Sequence, residues 1–530
     1  MMLVTLALLL VSGVVQSVIS PPWNLVFLHP VAWIPAFFVF ARLRGRRALA
    51  AGWLVGAAAT LAIFVWLPGT IARFGQFPAL LAILVWLLFA LATGFHVGLF
   101  AWAFATVRRV AGSWWPLAVA AWFCALEFLN PHLFGYLQGD AWYQIPRVFL
   151  ASAVTGVSGI SFLVVLCNAV VLQGIELRFI EQHGLEPHGL ELHGGAGDAA
   201  RRAWRRNLAV LAGLVLLSIG YSSVRLGQIS AAEQEAPSLR IALIQPNHTI
   251  ERRHELSSLK GSAFAEDLVG LSRQAMSQEA DDRNIDVFVW PEGALRSNPT
   301  ANRNAAALEF VRSTGAEVWT GADTFDASVG PEGVSHNSAF RIFGDGQFDR
   351  RYDKNILVPF GEYVPLRDMI PGFDRIRTVG HYEAGRESPK YQSGPARFVF
   401  FVCYEAIRSG FVRAAVDDDV NLMVNVTVDA WYGDSSEQSQ HLMLVAVQSA
   451  LHGMPLVRST TTGISAFVDA RGVLVAQAGN FTREALVRDV RVLRVPSLYS
   501  KWGDWFAWGC VLASVLMLAA AWWASRQEEP

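Results

Sequence analysis

Charge is the first scarcity. Only 16% of the 530 residues are Asp, Glu, Lys or Arg, against about 25% in an ordinary soluble chain. The charges also nearly cancel, 43 basic against 44 acidic. That excludes a broad polyanion-binding surface, and no nucleic-acid partner is expected. Cysteine is scarce as well, and four in the whole chain cannot build a disulfide framework. Lysine is the rarest cation, at four positions only: Lys260, Lys354, Lys390 and Lys501. What the chain has in excess is apolar surface. Its residues are 53% hydrophobic and 12% aromatic, with 19 tryptophans, which excludes intrinsic disorder.

The scarcity of charge is uneven. Residues 1–175 carry ten charged side chains: Arg42, Arg44, Arg46, Arg47, Arg73, Arg108, Arg109, Glu127, Asp140 and Arg147. The rest of the chain approaches the soluble norm. A membrane part and a globular part follow. Apolar runs of about 20 residues span a bilayer. Eight are read at Met2–Ile19, Trp23–Phe40, Ala48–Leu67, Pro78–Val107, Trp114–Leu129, Val148–Ile175, Leu208–Val224 and Trp505–Ser525. The first lacks a basic leader and a second follows at once, so it reads as a span rather than a cleaved signal.

Arginines set the expected orientation. Clusters at 42–47, at 108–109 and between Arg178 and Arg206 fall on one side of this topology. By the positive-inside rule that side is the cytoplasm. Both termini are then cytoplasmic, and the segment from about Gly227 to Lys501 is external. The expected organisation is a membrane domain over 1–226 with a cytoplasmic loop at 176–206, a catalytic domain over 227–500, and an eighth span with a tail over 501–530. The loop repeats histidine at His183, His188 and His193. Steps of five do not align on one helix face, and the stretch reads as a low-complexity linker rather than a metal site.

Beyond Leu239, short β-branched runs alternate with helical stretches, an α/β pattern with a buried sheet core. Strands are expected at Leu239–Ile244, Ile285–Trp290, Glu317–Thr320, Ser338–Ile342, Arg397–Val402, Asn421–Asn425, Leu456–Ser459 and Ser465–Asp469. Helices are expected at His254–Ser277, Asn302–Thr314, Glu405–Val416 and Ser436–Leu451.

Three positions there suggest chemistry. Glu292 follows a predicted strand that Pro291 ends, where α/β sheets form their sites, and burial would raise it toward the working range of a base. Lys354 stands where arginine is the usual cation; a compact ammonium approaches a developing oxyanion closely. Cys403 is the one cysteine outside the apolar runs, between a strand and a predicted helix whose N-terminus would lower its pKa. Each has a plainer reading: a turn glutamate, a surface lysine, a buried structural thiol.

Order and context narrow the choice. The order glutamate, lysine, cysteine resembles the nitrilase superfamily, which implies an αββα sandwich with a Glu-Lys-Cys triad. The stretches Trp290-Pro291-Glu292, Tyr352-Asp353-Lys354, 357–365 (LVPFGEYVP), Cys403-Tyr404-Glu405, 429–433 (DAWYG) and 462–465 (TGIS) are most similar to the apolipoprotein N-acyltransferase family. That resemblance implies eight spans with an external nitrilase-like domain between the last two. It maps base, oxyanion lysine and nucleophile onto Glu292, Lys354 and Cys403, a second glutamate onto Glu362, and supporting residues onto Tyr404 and Glu405. Glu405 either orients its neighbours or begins a helix. The implied reaction moves an acyl chain from a membrane phospholipid, through a cysteine thioester, to the α-amine of a diacylglyceryl-modified apolipoprotein. It implies a bacterial inner-membrane location and needs no cofactor or metal; a monomer is expected.

The chain departs from the family pattern in three places. Residues 245–253 hold no tryptophan, Val428 replaces an asparagine, and residues 448–455 lack the usual arginine and glutamate. These changes fall on the acceptor side and leave the triad intact. Met369, Ile370 and Phe373 are candidates to line a lipid entrance. Glu127, inside an apolar run, is either functional or paired with Arg147. Two rival readings remain: a membrane-anchored amidohydrolase, which would need only one anchor, and a silent scaffold, against which the intact triad speaks.

Overall fold

The computed structural model describes residues 2–75, 77–183, 196–258, 263–278, 283–296, 304–328, 333–364, 369 and 382–527. The chain divides into two compact units. One comprises Met1–Val65, Ile83–Leu226 and Ser497–Pro530; the other comprises Trp66–Ala82 and Gly227–Pro496.

The first unit is helical. Five stretches are long and apolar enough to cross a membrane: Met2–Ile19, Ala79–Leu129, Val157–Phe179, Gly197–Glu235 and Trp505–Trp523. A bent pair, Gly45–Ile63 with Leu67–Arg73, makes a sixth if counted as one span. The eight expected spans are therefore not all matched by single long helices. The stretch Ala79–Leu129 contains two helices, Ala79–Ala111 and Trp115–Leu129. The expected span Trp23–Phe40 is α-helical only over Ile34–Phe40, after a 3-10 turn at Val26–Leu28. Pro21, Pro22 and Pro30 lack the amide donors that a longer helix would need. The expected span Val148–Ile175 is broken before Val157 by Gly156, at φ +68°.

Helix contacts in this unit use small residues. A Cβ on Gly56 would lie 2.3 Å from the Gly94 carbonyl oxygen, so Gly45–Ile63 and Ala79–Ala111 touch backbone to backbone there. Trp33, Phe37, Phe40, Phe100, Phe104 and Phe123 fill the core. Large apolar side chains such as Leu88, Leu512, Val515 and Leu516 are exposed, which is compatible with helices that meet lipid. Glu127 accepts the Gln138 amide N–H at 2.7 Å, which ties its helix to the following loop. His183 ends the helix Val157–His183; His188 and His193 lie outside the described residues.

The second unit holds two six-stranded sheets. Strands β1 (Ser238–Gln245), β2 (Val287–Arg296), β3 (Glu317–Asp326), β4 (Val334–Ile342), β5 (Tyr352–Asp353) and β12 (Glu484–Arg491) form one, ordered β12-β1-β2-β3-β4-β5. Strands β6 (Tyr391–Ser393), β7 (Ala396–Val402), β8 (Leu422–Thr427), β9 (Leu456–Thr460), β10 (Ala466–Val468) and β11 (Leu474–Gln477) form the other, ordered β11-β10-β9-β8-β7-β6. Each sheet pairs its central strands in parallel and its outer ones antiparallel. The sheets face one another: Trp319 of β3 stacks on Phe398 of β7 with centroids 3.9 Å apart. Helices Ala263–Gln278 and Ala305–Thr314 share a core with the first sheet, through Phe264, Leu268, Phe288, Trp290 and Phe310.

Three local expectations change. The expected helix His254–Ser277 is two helices, Ile250–Ser258 and Ala263–Gln278. Pro291 does not end β2; the strand runs on to Arg296 with a register shift between Trp290 and Leu295. The expected helix Glu405–Val416 is a 3-10 turn at Cys403–Ile407 followed by a short helix, Ser409–Ala415.

Candidate active site

The irregular part of β2 is what presents Glu292. Gly293 takes φ +61°, and a Cβ on Gly321 of the neighbouring β3 would come within 2.5 Å of the Glu292 Cα. Only glycine permits that approach. The bulge turns the carboxylate out of the strand alternation into the site. There its Oε1 accepts from Asn337 Nδ2 at 2.6 Å and lies 3.9 Å from Lys354 Nζ.

Lys354 is fixed through its backbone. Its N–H donates to the Asn337 carbonyl and its own carbonyl accepts from Gly385, both at 2.8 Å. Its ammonium, 1% exposed, lies 2.9 Å from Glu362. Glu362 is held in turn: Asn337 Nδ2 donates to it at 2.9 Å and the Val358 amide at 2.8 Å. The bridge is supplied by Phe360, at φ +63°, whose N–H donates to Tyr363 across a tight turn. Asn337 thus ties the two glutamates with one amide group, a role the sequence reading did not assign. A lone asparagine in a strand carries no pattern that would have shown it.

Cys403, directly after β7, takes the left-handed region, at φ +53°. That conformation costs a non-glycine residue about 1–2 kcal/mol, and it lifts the thiol off the strand direction. Glu405 anchors the strained turn. Its Oε2 accepts from the Val402 amide at 2.8 Å and from the Tyr352 hydroxyl at 2.6 Å. Its Oε1 accepts from the amides of Asn355 and Ile356 at 2.6 and 3.0 Å. This carboxylate joins the cysteine turn to the lysine loop, and no α-helix begins at it. Tyr404 is buried, and its hydroxyl accepts from Arg408 at 3.1 Å.

Burial decides the proton affinities. It pushes Glu292 up to about 7, with Lys354 opposing and Glu362 reinforcing. It would pull Lys354 down, but Glu362, Cys403, Glu292 and Glu405 together hold the ammonium charged, above the ordinary lysine value. The Cys403 thiol is raised, first by burial and then by Glu292, while Lys354 pulls the other way. The expected helix-terminus acidification is thereby corrected: no α-helix starts at Cys403, and a buried thiol beside carboxylates keeps its proton. Such a thiol needs a base, and Glu292, raised toward neutrality, is the carboxylate that faces it.

A second buried group adjoins the site. Asp429, Glu437 and His441 bring their ligand-type atoms within 4.8 Å of one another, a donor set that suits a divalent cation. Arg458 already occupies it, with Nη2 2.7 Å from Asp429 and no exposed surface. A guanidinium there disfavours a dication, and the group reads as a charge-balanced network. Arg458 and His441 hold Asp429 well below the usual carboxylate range against its burial. Asp429 begins the 429–433 stretch that carries the resemblance, but none of the four was given a role from the sequence.

The turn after β8, residues 430–433, is clasped from Trp66–Ala82. Arg73 donates to the carbonyls of Trp431 and Tyr432 at 3.1 and 2.5 Å. Trp66 donates to Gln440 at 3.0 Å and meets the Tyr432 ring edge-on. Met369 is 77% exposed; Ile370 and Phe373 lie outside the described residues. Of the acceptor-side departures, Val428 is buried, and Gln448 donates to Ser409 at 3.0 Å.

The paired sheets and a buried glutamate, lysine and cysteine brought together on them define the class: residues 240–498 match the family model described as carbon-nitrogen hydrolase. Residues 12–170 match a second, described as the apolipoprotein N-acyltransferase N-terminal domain. The chain belongs to the apolipoprotein N-acyltransferase family. It is 28% identical over 516 residues to the apolipoprotein N-acyltransferase of Geobacter metallireducens, covering 93% of this chain and 91% of that one. With the Pseudomonas syringae pv. tomato enzyme of that name it shares 26% over 511 residues, 94% and 92% of the two chains. A Sinorhizobium medicae relative is 33% identical over 282 residues, 52% of each chain.

Proposed function

We propose that this protein is an N-acyltransferase that transfers a fatty acyl chain from a membrane phospholipid to the N-terminal α-amine of diacylglyceryl-modified apolipoproteins. The observation that carries the reading is the convergence of Glu292, Lys354 and Cys403 in one buried site, in a chain that also has long apolar helices.

The reaction proceeds in two halves. Glu292 takes the Cys403 proton, and the thiolate attacks the phospholipid ester carbonyl. Lys354 lies where the tetrahedral oxyanion develops; a donor of that kind contributes roughly 3–4 kcal/mol to the transition state. The C–O bond breaks, Glu292 returns the proton to the departing lysophospholipid, and the acyl chain stays on sulfur as a thioester. In the second half the neutral α-amine attacks the thioester, Glu292 accepts its proton, and the thiolate leaves. Glu362 and Asn337 hold Lys354 and Glu292 in register. Glu405 keeps the cysteine turn and lysine loop together, and Tyr404 packs beside the nucleophile.

The enzyme is a multi-pass protein of the bacterial inner membrane, crossing eight times with its catalytic domain on the periplasmic side. Support comes from the basic clusters: Arg108 pairs with Glu176 at 2.8 Å and Arg206 donates to the Ser113 carbonyl at 2.6 Å, which puts those arginines at one end of the helical unit.

Purified enzyme given phospholipid and a synthetic diacylated lipopeptide is expected to add one acyl chain to the peptide amine, read by mass spectrometry. A peptide left unmodified, or phospholipid hydrolysed at the same rate without peptide, would refute the transferase reading.

A further inference from the structure

Cys403 has a neighbour that the mechanism above does not use. Strands β7 and β8 run parallel with Val402 opposite Val426, so the next residues, Cys403 just past β7 and Thr427 at the end of β8, lie side by side. The Thr427 hydroxyl adjoins the Cys403 thiol and favours its ionised form, and it is fully buried. It also lies 3.2 Å from Asp429 Oδ1, to which it donates. A hydroxyl has one proton, so Thr427 can serve Asp429 or the sulfur as donor, but not both at once.

We propose that Thr427 is a further catalytic group for this reaction, turning its hydroxyl hydrogen to the Cys403 sulfur as the thiolate forms, and that Asp429, Arg458, His441 and Glu437 are the positioning residues that aim it. The inference rests on the acyl-transfer reading for its place in catalysis, but its test does not require acyl transfer.

The cluster explains why the switch is available. Asp429 Oδ2 is held by Arg458 at 2.7 Å, and Oδ1 faces His441 Nδ1 at 3.3 Å. The same imidazole nitrogen is 3.5 Å from Glu437. Asp429 therefore keeps partners when Thr427 turns away, which avoids the penalty of a stranded buried carboxylate. Arg458 donates also to Asn425 at 2.5 Å, and Asn425 donates to the Phe401 carbonyl at 3.0 Å. The cluster is thus bolted to the strand that ends in the nucleophile. In the resting thiol the hydroxyl points to Asp429. When Glu292 removes the thiol proton, the sulfur becomes an anion beside Thr427 and draws the hydrogen. The hydroxyl keeps its own proton throughout, and the thiol proton resides on Glu292.

The charged and titratable groups facing the sulfur are Glu292 from β2, Lys354 after β5, and Asp429 and Tyr432 after β8. All are present in every variant below, so a change isolates the hydroxyl. The probe is iodoacetamide on the full-length, detergent-solubilised protein, with alkylation of the Cys403 peptide followed by mass spectrometry across pH. Thr427→Val keeps the shape and removes the donor. It is expected to slow Cys403 alkylation about tenfold on the rising limb and to move the midpoint up by about one pH unit, since a hydrogen bond to a charged group is worth roughly that much. Thr427→Ser restores the hydroxyl and is expected to stay within about twofold of the parent. Should the valine variant not fold, Thr427→Ala carries the same expectation. A parent-like rate and midpoint in the variant lacking the hydroxyl would overturn the proposal, as would equal impairment in Thr427→Ser. Failure of lipopeptide acylation with these alkylation results intact would instead count against the acyl-transfer reading alone.

Discussion

At the residue scale the site is governed by burial. Glu292 is raised to about 7 by desolvation, so its ionised form, the one that accepts the thiol proton, grows in as pH rises through 7. Formation of the acyl-enzyme is expected to rise over that range and level off above it, as measured by single-turnover release of lysophospholipid. Asn337 donates to Glu292 and lowers its proton affinity. Asn337→Ala should shift that profile to higher pH and slow acylation roughly tenfold or more, the loss of a charge-assisted bond. An unchanged profile would remove Asn337 from the account. Burial also has a cost in stability. A carboxyl whose folded pKa is raised binds protons more tightly folded than unfolded, so ionisation destabilises the fold increasingly between the unfolded value and about 7, and constantly above it. Glu292→Gln should therefore melt a few degrees higher than the parent at pH 8, and the difference should shrink as pH falls from 7 toward 4.5. The same variant should lose acylation.

At the element scale, the strands that carry the site were legible because they are fully buried and apolar. Arg397–Val402 and Ile285–Trp290 read as strands from composition alone, which placed Cys403 and Glu292 just beyond them. What composition hides is the continuation of β2 past Pro291, because the bulge relies on glycines in two strands and on register. Strands β5, β6, β11 and β12 were missed for a related reason. Three are four residues or shorter, and β12 is mostly exposed or half-buried and rich in charge, so neither presents an apolar run. The cluster around Asp429 was equally hidden, since its members come from a turn, a helix and a strand up to 29 residues apart in sequence. The clasp from Trp66–Ala82 yields its own test. Arg73 meets two carbonyls of the turn that bears Tyr432, and a lysine cannot reproduce that fork. Arg73→Ala is expected to slow acyl-enzyme formation about tenfold, and Arg73→Lys to recover only part of it; parent-like rates in both would leave the clasp without a catalytic consequence.

At the scale of the whole molecule, most of the first third, where charge is scarce, falls in the helical unit, while Trp66–Ala82 falls with the sheets. Where the helices break was not readable, because hydropathy counts apolar residues while prolines and Gly156 decide the breaks. Reporter fusions or cysteine labelling in intact cells test the proposed topology. Sites near Arg44, Arg109 and Arg202 should be cytoplasmic, and Asp417 and Arg488 external; any exchange of those sides would refute the orientation.

The central claim is that Cys403 carries the acyl group. Full-length enzyme incubated with a phospholipid of defined chains, without acceptor, is to be digested and its cysteine peptides weighed. The account predicts one acyl chain on the Cys403 peptide, absent in Cys403→Ser, retained in Cys510→Ser, and discharged by a diacylated lipopeptide but not by water over the same interval. An unmodified Cys403 peptide, or an adduct that water clears and the lipopeptide does not, would contradict it.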